Sequence, residues 1–209
     1  MINYDQSYSV SIILPILNEI NSLKKTIKIL NKINVQKEYL IIYSERLTNN
    51  IVKKEIINLK KRNKNISYKS QLRPFVGGAI DLGIKLAKKN YIVIMASDLE
   101  TNPNELKNMI KVSKKNPKCI ISADRWISQK GFYNYGIIKF LANFFFQKLI
   151  KIFFKYKILD FTFAYRLYPK NALKGYKIKE LRHGFALEIL LSPMNVSYTH
   201  LTLPTTSSV

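Results

Sequence analysis

Apolar residues in this chain fall into short dense runs, separated by longer stretches in which they recur every three or four positions. Residues 10–14 are apolar apart from Ser11 and stop at Pro15. That run predicts a strand buried on both faces. Leu23, Ile27 and Leu30 follow at helical spacing in a lysine-rich stretch. Residues 39–43 predict a second strand that ends in Ser44 and Glu45, and residues 51–61 a charged helix. A weak strand at residues 66–68 precedes Gly77 and Gly78, after which Ile80, Ile84 and Ala87 mark another helix. Residues 91–95, all apolar and rich in β-branched side chains, predict the central strand. Asn102 as cap and Pro103 at the first position then predict a helix carrying Leu106, Met109 and Ile110. A fifth strand, residues 119–121, ends near Asp124, Arg125 and Trp126. Strand and helix alternate throughout, which predicts an α/β domain with a mostly parallel sheet flanked by helices.

Polar side chains gather where the runs end: Asn18 and Glu19, Ser44 and Glu45, Asp98 and Glu100, Asp124 and Arg125. In an open parallel sheet all these positions lie on one edge, where ligands bind. Asp98 and Glu100, two residues apart just past a strand, can share one hard divalent cation, and that cation can neutralise a diphosphate. The competing reading is that they are ordinary loop carboxylates.

Composition narrows the classes. A chain of 209 residues, 47% hydrophobic, can bury one substantial core. Lys and Arg total 35 against 13 acidic residues, a net charge of +22. That charge points to an anionic partner, although a bias toward Lys, Ile and Asn also fits an AT-rich genome. The single cysteine, Cys119, sits in an apolar run as a core residue; it excludes an intrachain disulfide and fits a reducing compartment. The polar N-terminus, with Asp5 and no apolar stretch, predicts no leader and a cytoplasmic location. His183 and His200 have no partners at zinc spacing, so His183 is read as structural or at most a substrate contact. Gly77 and Gly78 lack the Gly-Lys-Ser/Thr of a Walker loop.

Two further stretches stand apart. Residues 137–159 hold Phe140, Leu141, Phe144, Phe145, Leu149, Phe153 and Phe154, interrupted by Lys139, Lys148, Lys151, Lys155 and Lys157. The lysines make a poor membrane span, but a lysine-flanked aromatic helix suits an anionic membrane surface. The alternative is a core helix with lysines at its margins. Residues 192–209 contain no Lys, Arg, Asp or Glu and are rich in Thr and Ser. They are expected to lie outside the fold, leaving residues 1–191 as the domain, incomplete at its C-terminal end.

Six segments, in order, resemble the family 2 glycosyltransferases, and among them the polyprenyl-phosphate (dolichyl-phosphate) sugar transferases. They are residues 11–19 (SIILPILNE), 73–78 (RPFVGG), 95–99 (MASDL), 124–126 (DRW), 160–168 (DFTFAYRLY) and 184–188 (GFALE). The resemblance implies a GT-A-type fold, the nucleotide-diphospho-sugar transferase architecture, and a nucleotide-sugar donor with Mg²⁺ or Mn²⁺ held by Asp98 and Glu100. It implies donor contacts from Pro15, Asn18, Glu19, Glu45, Arg73, Gly77, Gly78, Ser97 and Glu188. Arg125 and Arg166 would offer forked donors to phosphate oxygens. Asp160 or Glu188 would be the base if the acceptor were a hydroxyl. Three departures stand out. Ala96 replaces the first aspartate of the metal pair. Ser44-Glu45-Arg46-Leu47 replaces an Asp-Asp-Gly-Ser turn. The basic Arg-x-x-Gly-x-Ser-Lys segment that family members carry after the last motif is missing.

The leading expectation is transfer of a hexose from a donor of the GDP-mannose or UDP-glucose type to a polyprenyl-phosphate lipid, at the cytoplasmic face of a membrane. The alternative is transfer to a saccharide hydroxyl in cell-surface polysaccharide synthesis. An inactive homologue and a basic nucleic-acid-binding protein are the remaining readings. The last is disfavoured, because the basic residues are spread over all the helices and no nucleic-acid motif is present.

Overall fold

The computed structural model describes residues 8–124, 136–154, 160–194 and 200–204. The first half alternates as the sequence predicts: β1 (Ser9–Ile16), α1 (Ile20–Asn31), β2 (Gln36–Tyr43), α2 (Asn50–Arg62), β3 (Ile66–Ser70), α3 (Phe75–Leu86), β4 (Tyr91–Ile94), α4 (Glu105–Lys115) and β5 (Ile120–Asp124). Then come α5 (Ile137–Phe154), β6 (Arg166–Pro169), a 3₁₀ turn (Lys170–Leu173), α6 (Phe185–Met194) and β7 (His200–Pro204). The seven strands form one sheet in the order β3-β2-β1-β4-β6-β5-β7. β1 to β4 run parallel, β6 runs antiparallel to both β4 and β5, and β7 is parallel to β5.

Unbroken apolar strands follow from burial on two faces. Val10, Ile12 and Leu14 of β1 pack with Leu23 and Ile27 of α1 and Met109 of α4. The alternate residue, Ile13, points to the other face and packs with Ile80 and Ile84 of α3 and Ile189 of α6. α2 begins where Asn49 accepts a hydrogen bond from the Val52 amide at 2.8 Å, a cap that satisfies a helix-end donor.

Three expectations need correction. α4 starts at Glu105, because the Asn102 side chain accepts from the Asn104 amide at 3.1 Å and closes a turn before the helix. Residues 166–169, read only as part of a motif, form a strand wedged between β4 and β5. The uncharged tail is not outside the fold over its described part. α6 continues to Met194, and His200–Pro204 pairs with the whole of β5.

α5 is built inside out. Its buried side chains include Gln147 and Ile150, while Ile137 is 78% and Phe145 66% exposed, with Leu141, Phe146 and Leu149 exposed as well. Polar bonds hold it. Gln147 accepts from the Phe161 amide at 3.0 Å and donates to Asp160 at 3.2 Å and Thr162 at 3.3 Å. No helix among the described residues is long and apolar enough to cross a membrane.

Candidate active site

The carboxyl ends of β1, β2, β3 and β4 open into one cavity of about 810 Å³. From the β1 exit, Pro15, Leu17 and Glu19 line it. Glu19 accepts hydrogen bonds from the Leu17 and Asn18 amides at 3.0 and 3.1 Å, and so folds the turn on itself. Asn18 does not line the cavity; its side chain accepts from the Asn49 amide at 3.0 Å and ties the turn to the start of α2. At the β2 exit Glu45 and Arg46 line the cavity, and Glu45 forms an ion pair with Lys53 at 2.6 Å. That lysine holds its carboxyl below the usual glutamate range.

Ala96, Ser97 and Asp98 come from the β4 exit. The buried Ser97 hydroxyl donates to the Pro15 carbonyl at 2.7 Å and locks the β4 exit to the β1 exit. Asp98 is exposed, and one of its oxygens accepts from the Glu100 amide at 3.0 Å. Leu99, between them, has a φ of 70°, the left-handed region. The turn presents Asp98 to the cavity but leaves Glu100 outside the lining, so the two carboxylates do not converge there. Among the described residues no three His, Cys, Asp or Glu side chains cluster as a metal site.

The fourth wall comes from residues 71–76 and from Arg182 and His183. Arg73 lines it, but its guanidinium donates to the Ile178 carbonyl at 2.6 Å and pairs with Asp81 at 3.3 Å. Gly77 and Gly78, donor contacts by the resemblance, are absent from the lining. Their lack of side chains serves the scaffold. A Cβ on Gly77 would lie 2.7 Å from the backbone of Glu180 and Leu181, and one on Gly78 2.2 Å from the Arg73 carbonyl.

Three more motif residues belong to the frame. Arg166 is wholly buried and donates to Ser122 Oγ at 3.1 Å and to the carbonyls of Ala186, Asp160 and Phe161 at 2.5, 3.1 and 2.9 Å. A guanidinium so bonded staples β6 to β5 and α6 and cannot also bind a ligand phosphate, as the sequence reading expected. Asp160, also buried, accepts from the Thr162 and Phe163 amides and from Gln147, which makes it the anchor of α5 rather than a solvent-facing base. Glu188 accepts from Tyr176 at 2.5 Å and from the Lys179 and Glu180 amides at 2.8 and 2.6 Å, outside the cavity. Arg125 lies outside the described residues.

Sequence reasoning missed Arg46, Phe75 and Arg182 as lining residues, and underrated His183. The nearest signal was position: Arg46 sits in the departed Asp-Asp-Gly-Ser turn, and Arg182 and His183 directly precede the last motif.

The family model for glycosyl transferase family 2 matches residues 11–176. The chain is a family 2 glycosyltransferase. The transferase fold is also that of solved glucosyl-3-phosphoglycerate synthase from Mycobacterium tuberculosis. The complex of that enzyme with UDP superimposes with a TM-score of 0.71 at 13% identity, over 98% of this chain and 73% of the other. Its complex with Mn²⁺, UDP-glucose and phosphoglyceric acid gives 0.71 at 14% identity with the same coverage. The complex with Mg²⁺ and UDP gives 0.70 at 12% identity, again over 98% and 73%. At such identities the likeness establishes the GT-A architecture of this glycosyltransferase, as the resemblance implied.

Proposed function

We propose that this transferase moves a hexosyl group from a nucleoside-diphosphate sugar, of the GDP-mannose or UDP-glucose type, to a polyprenyl phosphate, working peripherally on the cytoplasmic face of a membrane. The observation that carries the acceptor is α5. It turns Leu141, Phe145, Phe146 and Leu149 outward and buries a glutamine instead. Burying an aromatic or leucine side chain is worth roughly 1.5–3 kcal/mol, so such a face favours an apolar phase. Lys148, over the Phe144 ring at 4.7 Å, adds a cation at the same surface, and anionic lipid would meet it.

The chemistry agrees with a phosphate acceptor. Neither Asp160 nor Glu188 reaches the cavity with a carboxylate able to accept a proton from a hydroxyl. A phosphate oxygen is already anionic and attacks without a strong base, so catalysis reduces to positioning and charge neutralisation. Among the described residues Asp98, Arg46 and Arg182 line the donor cavity with the right character. Asp98 suits a Mg²⁺ or Mn²⁺ that one carboxylate shares with ligand phosphates, the usual way such ions are bound. The ion, when bound, would offset charge on the leaving diphosphate. Arg182 offers forked donors to the same oxygens.

The test is a pair of assays. A nucleotide-sugar binding screen with and without Mn²⁺ identifies the donor. Labelled-hexose transfer is then compared among polyprenyl phosphate in vesicles, phosphoglyceric acid and oligosaccharides. Transfer to either soluble acceptor in preference to the lipid defeats the proposal.

A further inference from the structure

Residues 176–181 have no regular secondary structure, yet side chains from other elements hold four of the backbone groups that follow Tyr176. The Ile178 amide donates to Asp81 at 3.1 Å and its carbonyl accepts from Arg73 at 2.6 Å. The Lys179 and Glu180 amides donate to Glu188 at 2.8 and 2.6 Å. The Leu181 carbonyl accepts from the Gly77 amide at 2.8 Å, and the Arg182 amide donates to the Glu180 carboxylate at 2.7 Å. Burial works against the Glu188 carboxylate, but Tyr176 and the two amides outweigh it and hold its pKa below the usual range. A carboxylate fed by consecutive amides is a strong local fastener.

This fastening ends at Arg182, whose guanidinium lies over the Phe75 ring, 4.5 Å from the centroid. Phe75 has a φ of 58°, a conformation costly for a side chain of its size. The Gln71 side-chain Nε2 holds it there, donating to the Phe75 and Arg73 carbonyls at 3.1 and 2.8 Å. Arg73 is tied up in the frame, whereas the Arg182 guanidinium forms no hydrogen bond or ion pair with any described residue while lining the cavity. A ring fixed by its backbone that carries a cation with its donors left over is a preorganised anion site.

We infer that Arg182 binds the anionic group of the cavity's ligand and that Glu188, outside the cavity, is its positioning residue, acting through the Lys179 and Glu180 amides. This rests on the donor reading above and assigns that reading its phosphate contact. Calorimetric titration with UDP, GDP and inorganic pyrophosphate, each with Mg²⁺, tests it on the full chain. Arg182→Ala is expected to weaken binding about tenfold, and Arg182→Lys to recover only part of that, because a point charge lacks the fork. Glu188→Ala is expected to match Arg182→Ala, and to add less than twofold in the Arg182→Ala background, since both act on one contact. If Glu188→Ala does not fold, Glu188→Gln, which keeps one acceptor oxygen, decides by the same non-additivity. Hydrogen exchange at the Lys179 and Glu180 amides should rise in the Glu188 variants and not in Arg182→Ala. Additive losses, or unchanged binding in Arg182→Ala, overturn the inference. Binding of pyrophosphate alone, lost in the same variants, upholds it and defeats the nucleotide donor; binding of none of the three defeats both.

Discussion

Arg166 and Arg182 carry the same charge on the same side chain in opposite settings. Arg166 is fully buried, with four acceptors around its guanidinium, three of them backbone carbonyls. Arg182 is exposed at the cavity, rests on an aromatic ring, and keeps its donors. The carboxylates divide the same way. Asp160 is buried among amides at the foot of α5, and Asp98 stands exposed at the β4 exit. Arg166 and Asp160 hold strands and a helix in place, whereas Arg182 and Asp98 stand at the cavity. Stability and activity should therefore separate cleanly between the two sets.

The largest effect is expected at Arg166. Arg166→Met strands three carbonyls and the Ser122 hydroxyl in the core. Each buried acceptor left without a partner costs roughly 1–3 kcal/mol, so the loss amounts to several kcal/mol. In a domain of this size that lowers the melting temperature by roughly 10 °C. A thermal melt within two degrees of the parent would show that this arginine does not staple the sheet.

Asp98→Asn should do the reverse. Loss of a group that acts on transition-state charge costs on the order of 10²–10³ in kcat. Because Asp98 is exposed, the melting temperature should stay put. Steady-state rates and a melt on the same preparation check both halves; a coupled fall in rate and melting temperature would merge the two sets.

α5 extends the contrast to apolar groups. Phe145→Ser with Leu149→Ser is expected to reduce flotation with anionic vesicles about tenfold or more, since each side chain is worth roughly 1.5–3 kcal/mol when buried. The fold should be unaffected, as both are exposed. Added salt should weaken the remaining attraction by screening the lysines. Retained flotation of the double variant would place the contact elsewhere.

The smallest effect concerns pH. The folded-state pKa of Glu188 is depressed, so the stability it contributes is present above the ordinary glutamate pKa. It fades as pH falls through the lower folded value. Donor affinity should therefore hold from neutral pH down through mild acid and drop only under more acidic conditions. Substituting Gln at Glu188 should flatten that drop, which a pH series of titrations would reveal.

The left half of the sheet was legible because β1, β2 and β4 are short apolar runs between periodic helices, and β3, a weaker run, falls between two of those helices. β6 was not, because it is only four residues long, opens on Arg166, and its neighbours resemble a binding motif. The family pattern located the right segments but not the work of each residue. Gly77, Arg73 and Glu188 are motif positions that support the wall through contacts with residues 178–181, and Gly78 packs against Arg73. Such contacts have no local signature. Arg46 and Arg182 reach the cavity for the same reason, by tertiary placement rather than spacing. The β7 strand escaped notice because an edge strand pairing through its backbone needs little charge or periodicity to form.

The place of β6 also sets the order in which the chain can fold. Among the described strands, β1 to β4 pair with one another until β6 arrives, and all their partners except β6 are available by residue 94. Among the described residues β5, by contrast, pairs with β6 and β7 alone, and both follow it in sequence. On a ribosome, the left half can therefore close while β5 and α5 wait, and α5 emerges with its apolar face uncovered before the strand that anchors its neighbours exists. Non-local pairing of this kind is slow and leaves sticky surface open to the surroundings. Pulse-labelled exchange during refolding should protect β1–β4 amides well before those of β5 and β6, and a membrane or chaperone present in that interval would find α5 first.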